Sequence, residues 1–289
     1  MADQPLKFDV DRELFPFESR FLELENGIRV HYVDDGKGPT ILMLHGNPSW
    51  SFLYRKMIRA LRNSYRCIAL DYPGFGLTEA PPNYGFTPRE HSEVVERFAA
   101  GLELTSLTLV VQDWGGPVGL GFAGRNPGLV DRLIIGNTFA WPLQGDLRVA
   151  MFSRIMGGPV GRTIAYLFNG VARFFFKKGL VNKPHKRELQ MYLAPFHLRR
   201  NRKQTSISPR LLLKARPFLQ EVESGLSRIA DRPTLLLWGT RDFAFKESAR
   251  KRFEETFSDT KTVLLEASHF WQDDCGEEAA EAIREWMGA

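Results

Sequence analysis

The sequence predicts an α/β fold: a doubly wound, mostly parallel sheet with an all-helical segment inserted after the sixth strand. Three observations carry this expectation. Short runs of strand-forming residues alternate with longer helical patterns, and several of those runs are apolar at nearly every position. The alternation then stops after Thr138 for about ninety residues and resumes at Pro233.

A run that is apolar throughout has no face left for water, so it belongs in a parallel sheet covered on both sides. In chain order, "FLELENG" and "IRVHYVDDG" read as two N-terminal strands joined by an Asn26-Gly27 turn. "TILMLHG" (40–46), "YRCIALD" (65–71), "LTLVVQD" (107–113), "RLIIGNT" (132–138), "PTLLLWG" (233–239) and "TVLLEASH" (262–269) supply the third to eighth strands. Helical patterns fall at about 49–63, 87–104, 115–125, 246–257 and 276–288. The second opens on Thr87-Pro88-Arg89-Glu90, with a Thr N-cap, a Pro at the first helical position and a Glu at the third. Such alternation predicts right-handed crossovers. It divides the chain into a core domain (1–138 and 226–289) and an inserted helical domain (139–225).

A chain of 289 residues, 43% of them hydrophobic, can bury a full core. No uninterrupted run of eighteen apolar residues suggests a membrane span, and "MADQPLKFDVDREL" lacks the apolar stretch of a signal peptide. Two cysteines, Cys67 and Cys275, are too few for a disulfide framework, so a reducing cytoplasm is the expected compartment. Charge is uneven. Residues 173–216 hold thirteen Lys and Arg against Glu188 alone, whereas the remainder holds 26 basic and 33 acidic residues. The block lacks a nucleic-acid motif and is interleaved with helix-spaced apolar residues. It reads as a solvated or self-associating surface, with neither nucleic acid nor membrane expected as a partner.

In open α/β sheets, ligands bind beyond the carboxyl ends of the strands. The residues there are His45-Gly46-Asn47-Pro48, Asp71, Asp113-Trp114, Asn137, Asp242 and His269. Asp113 sits at the apex of a strand–turn–helix whose Gly115 and Gly116 permit a tight turn, although Val111 stands where a small residue is usual. Taken alone, Asp113 is more simply a helix cap, Asp242 a turn residue and His269 a core histidine. Together they follow three separate strands in the order nucleophile, acid, base, which favours chemistry over capping. A carboxylate is already ionised at neutral pH and can displace a leaving group from an sp³ carbon. A histidine held by a second carboxylate can then activate water against the resulting ester. His45 and Asp71 read as loop-shaping residues. The Gly74 and Gly76 spacing is not a dinucleotide fingerprint, and Asp273-Asp274 read as solvated or capping the last helix.

"HGNPSWSFLYR" (45–55), "DYPGFG" (71–76), "VQDWGGPVG" (111–119), "WGTRD" (238–242) and "ASHF" (267–270) resemble the haloalkane dehalogenases of the α/β-hydrolase superfamily, from about residue 15 to the C-terminus. The resemblance implies Asp113 as nucleophile, His269 as general base, and Asn47 and Trp114 as both the halide-binding pair and, through their backbone N–H groups, the oxyanion hole. It places the triad acid after the seventh strand, at Asp242, leaving Asn137 a hydrogen-bonding role. A halide is a weakly hydrated anion, and indole and amide N–H groups suit it in a dry pocket. The implied reaction turns a small halogenated hydrocarbon and water into a primary alcohol, a halide ion and a proton, with no cofactor and no metal. The resemblance also makes the α/β-hydrolase fold's inserted helices, residues 139–225, a helical cap domain over the site, with Phe139, Trp141, Phe152, Phe168, Phe174, Phe175, Leu212, Leu213 and Phe270 as the expected cavity lining. The competing readings are an epoxide hydrolase using Tyr166 and Tyr192, a binding protein without turnover, and a monooxygenase-like luciferase on the same scaffold. Self-association through the basic cap is left open.

Overall fold

The computed structural model describes residues 6–25, 27–143, 145, 147–197 and 199–288. Among the described residues, eight strands form one sheet: β1 (Arg20–Glu23), β2 (Arg29–Asp35), β3 (Thr40–Leu44), β4 (Arg66–Leu70), β5 (Leu107–Asp113), β6 (Val130–Thr138), β7 (Thr234–Gly239) and β8 (Thr260–Leu265). Their order is β1-β2-β4-β3-β5-β6-β7-β8. β2 runs antiparallel to β1 and β4, and the pairs from β4 through to β8 are parallel. Asn26 of the expected β1–β2 turn lies outside the described residues; Gly27 takes a positive φ of 75°. β5 is buried at every position, as its unbroken apolar run requires of a central strand covered on both faces.

Helices α1 (Arg55–Leu61), α2 (Pro88–Gly101) and α3 (Gly115–Arg125) follow β3, β4 and β5. The Thr87–Glu90 capping box is formed on α2, each partner satisfying the other's backbone N–H. α4 (Leu147–Gly157), α5 (Pro159–Phe168), α6 (Gly170–Lys178), α7 (Lys186–Leu193), α8 (Lys203–Lys214) and α9 (Arg216–Gly225) all lie between β6 and β7. α8 is their hub, packing against α4, α5, α6 and α9. α9 is also laid on the core, where Phe218 and Val222 meet Gly121 of α3. α10 (Glu247–Thr256), the short α11 (Trp271–Asp274) and α12 (Gly276–Met287) complete the chain, with α12 against α1.

One strand is shorter than its sequence suggests. β8 ends at Leu265, and residues 266–269 form a loop crossing the end of β7, where Thr240 and Arg241 donate to the carbonyls of Leu265 and Ala267. That bend carries His269 back toward β7. Asp273 and Asp274 also depart from the solvated or capping role read for them. Asp273 is buried between Arg55, Lys56 and Tyr192, while Asp274 accepts the backbone N–H groups of Val181, Asn182 and Ser268. Together with the Phe270 N–H bond to Gly179, these contacts fasten the segment carrying His269 to the inserted helices.

Candidate active site

The turn from β5 into α3 places Asp113 at φ 50°, a region that non-glycine residues rarely occupy and that clusters at functional sites. The Asp113 carboxylate is tucked against Gly46: a Cβ there would lie 2.3 Å from that of Asp113. Val111, bulky where a small residue is usual, is accommodated one turn into α3. A Cβ on Gly119 would stand 2.7 Å from its methyl group, so the missing side chain is the compensation.

Asp113 Oδ1 accepts the Asn47 backbone N–H at 2.7 Å, and the Trp114 backbone N–H also points to this carboxylate. Oδ2 lies 3.7 Å from His269 Nε2, beyond a direct hydrogen bond. On the far side of the ring, Nδ1 is 3.1 Å from Asp242 Oδ2, while Asp242 Oδ1 accepts the Ala244 N–H. Asn137, at the end of β6, exchanges both its amide groups with the backbone of Gly239. It therefore anchors the strand end that leads to Asp242 and does not serve as an acid. All three members of the Asp113–His269–Asp242 set are buried. Burial raises the Asp113 carboxyl above its ordinary range, against the opposing pull of His269 and the two backbone N–H groups. Burial alone would lower the His269 imidazole, but Asp242 and then Asp113 outweigh it and the net direction is upward.

Asp71 and His45 organise loops. Asp71 accepts the N–H groups of Ser51 and Leu77 and pairs with His31 at 2.7 Å, and His45 Nε2 accepts the Tyr72 N–H.

A cavity of about 240 Å³ opens over Asp113, walled by Asn47, Trp114, Phe152, Phe175, Leu212 and Phe245 among others. Of the expected lining, Phe152, Phe175 and Leu212 reach it. The others do not, for local reasons. Phe139 is wedged behind the wall between Trp114 and Phe245. Trp141 packs on Phe253 beneath Arg252. Phe270 stacks on Phe176 with its edge to His269. Leu213 is turned about 100° around α8 from Leu212. Phe168 ends α5 on its outer side, 67% exposed, and Phe174 leans on Phe243 at the surface. Sequence reasoning missed Phe243 and Phe245, which alternate directly after Asp242 and enclose His269 with Phe175 at ring distances of 5.5–5.9 Å.

Residues 39–274 match the family model of the alpha/beta hydrolase fold. The chain is 37% identical over 286 residues to haloalkane dehalogenase 2 of Mycobacterium tuberculosis, a match spanning 98% of this chain and 99% of the relative. The chain belongs to the haloalkane dehalogenases. A second similar protein, the cis-3-alkyl-4-alkyloxetan-2-one decarboxylase of Shewanella oneidensis, is 30% identical over 95% of this chain and 89% of its own. Among solved structures, haloalkane dehalogenase DbeA from Bradyrhizobium elkani USDA94 superposes with a TM-score of 0.83, covering 94% of this chain and 97% of its own at 23% identity, which shows the shared fold. This dehalogenase therefore sets its candidate residues at the carboxyl ends of three strands: Asp113 as the last residue of β5, Asp242 after β7 and His269 after β8.

Proposed function

We propose that the chain hydrolyses carbon–halogen bonds through a covalent alkyl ester on Asp113. One observation carries the reading. The Asp113 carboxylate faces an apolar cavity with Oδ1 on the Asn47 N–H and Oδ2 turned, unbonded, toward His269. In this scheme Oδ2 attacks the carbon bearing the halogen, the carbon–halogen bond breaks, and the halide leaves with its electron pair toward the side chains of Asn47 and Trp114. His269 Nε2 then takes a proton from water as the hydroxide adds to the ester carbonyl. The resulting oxyanion sits on the two backbone N–H groups. Collapse releases the primary alcohol and restores the carboxylate; the proton leaves from His269. Asp242 holds the imidazole and balances its charge. The segment 139–225 acts as a cap over this site, with its last helix α9 shared with the core, and the proposed compartment is the cytoplasm.

An epoxide hydrolase would need cap hydroxyls on the substrate oxygen. Tyr192 is buried and donates to Asp273, and Tyr166 is at the surface; neither lines the cavity. The test replaces His269 by Phe and incubates the variant with 1-bromobutane, followed by peptide mass spectrometry. A stable butyl adduct on Asp113 is expected. No adduct, together with no bromide release by the wild type, would overturn the reading. Alkene release from a cis-3,4-dialkyl oxetan-2-one without bromide release from bromobutane would assign the relative's decarboxylase chemistry instead.

A further inference from the structure

Two consecutive inserted helices turn apolar stripes to solvent. On α4, Leu147, Met151 and Ile155 stand at i, i+4 and i+8; on α5, Val160, Ile164 and Phe168 repeat the spacing. All six are between 45% and 83% exposed. The two helices pack on each other and, with their other sides, on α8, so the stripes lie together on the outer surface. Single exposed apolar residues are ordinary. Six in register on neighbouring helices mark an interaction face.

The charge around this face identifies what it meets. Residues 147–187 contain nine Lys and Arg and no Asp or Glu. Arg154 lies within the α4 stripe, and Arg173, Lys177 and Lys178 are exposed on α6, which packs beside α5. Among the described residues, none of these four has an acidic partner. Amphipathic helices with apolar residues on one side and cations around them lie in the plane of a bilayer surface, where each cation adds to the attraction of anionic headgroups.

We propose that the α4–α5 face docks the protein on an anionic phospholipid bilayer. A second copy fits less well, because two-fold pairing would press two acid-free basic surfaces together. The docking reverses the expectation of no membrane partner, which rested on the lack of a span. No helix among the described residues is long enough and apolar enough to cross a membrane, and peripheral docking requires none. The inner side of α4 supplies Val149 and Phe152 to the cavity wall, so the docked face and the active-site cavity share one helix. A bilayer that concentrates apolar haloalkanes would then hold substrate beside the cavity; that consequence, though not the docking, rests on the function proposed above.

The test sediments the full-length protein with vesicles of phosphatidylglycerol and phosphatidylcholine in equal parts, and with phosphatidylcholine alone. The expected result is at least tenfold stronger binding to the anionic vesicles, weakening as salt rises. The Met151→Glu/Ile164→Glu/Phe168→Glu variant should lose that binding tenfold or more while hydrolysing dissolved 1-bromobutane normally. Equal or absent wild-type binding to the two vesicle types would overturn the proposal whether or not the variant folds. So would light scattering that shows a stable oligomer which the variant converts to monomers.

Discussion

The side-chain nitrogen of Gln112 lies 3.0 Å from the carbonyl oxygen of His269 and 3.2 Å from its Nε2. A carbonyl only accepts, so Gln112 must turn its NH₂ to His269, and the second hydrogen of that group meets the Nε2 lone pair, a contact that must yield when Nε2 takes a proton. This orientation selects the neutral tautomer with its proton on Nδ1, facing Asp242. Gln112 is fully buried and immediately precedes Asp113, so adjacent residues of β5 set both the proposed nucleophile and the proposed base.

Replacing Gln112 by Met removes the donor at similar volume. Neutral His269 then loses a hydrogen bond worth about 1 kcal/mol, which raises its pKa because the neutral form alone was stabilised. Because Asp242 and Asp113 already hold the wild-type imidazole above its ordinary value despite burial, the acid limb of kcat starts on the high side. The variant should move it higher still, leaving the alkaline plateau nearly unchanged. An unmoved limb in the pH profile of kcat would reduce Gln112 to packing.

Arg55 should matter to stability more than to chemistry. It is buried and donates to Glu188 at 2.6 Å, Asp273 at 2.8 Å and the Tyr192 hydroxyl at 3.0 Å. Arg55→Met strands these acceptors, and breaking a buried pair costs about 3–5 kcal/mol. Burial pushes the Asp273 carboxyl up, but Arg55, Lys56 and Tyr192 overcome this and hold it below its ordinary value. Its contribution is therefore present above the unfolded pKa of about 3.9 and is lost as pH falls below it. Urea unfolding should show a large gap between wild type and variant at neutral pH that narrows in acid.

The strands and the elbow were legible because an apolar run ending in Asp-Trp-Gly-Gly has few other ways to fold. What escaped depended on distant partners. Asp273 looked solvated beside Asp274, yet Arg55 reaches it from 218 positions away. Helical periodicity announced apolar faces in the insertion without saying what covers them, so Phe168 was expected to face inward and stands outside. Phe243 and Phe245 carried a readable signal, alternation directly after Asp242, but it lay in a loop rather than in the aromatic helices. Val111 looked like a flaw in the motif until Gly119 was placed against it.

That pairing is testable. A Cβ on Gly119 would meet Val111 Cγ1 at 2.7 Å and Leu44 Cδ1 at 2.8 Å. Gly119→Ala should destabilise by about 1–3 kcal/mol through overpacking. Adding Val111→Ala should recover part of the loss, giving a coupling of at least about 0.5 kcal/mol in a double-mutant cycle. Strict additivity would show that Val111 is not what Gly119 accommodates.

Asp113→Asn should abolish activity and stabilise the fold. Burial raises this carboxyl, so the folded chain holds its proton more tightly than the unfolded one, and the ionised group weighs against folding at neutral pH. The asparagine carries no charge to desolvate. The advantage should appear as pH rises above about 3.9 and vanish below it. Thermal unfolding reads it at roughly 2–4 °C per kcal/mol. A variant less stable than wild type at pH 7 would mean that His269 and the backbone donors more than offset the burial.

Trp114 separates the ring from its N–H. It caps α3 without a side-chain capping bond, lines the cavity and meets Phe139 edge-on at 5.1 Å. Trp114→Phe keeps the aromatic contact and removes the indole donor, whereas Trp114→Leu removes both. If the N–H receives the departing halide, both variants should lose about 10²-fold or more in kcat/KM for 1-bromobutane, the scale of one lost transition-state donor. Only the leucine variant should also lose the aromatic pair's 0.5–1.5 kcal/mol or so of stability. A phenylalanine variant with full activity would assign the halide to Asn47 and leave Trp114 as a wall of the cavity.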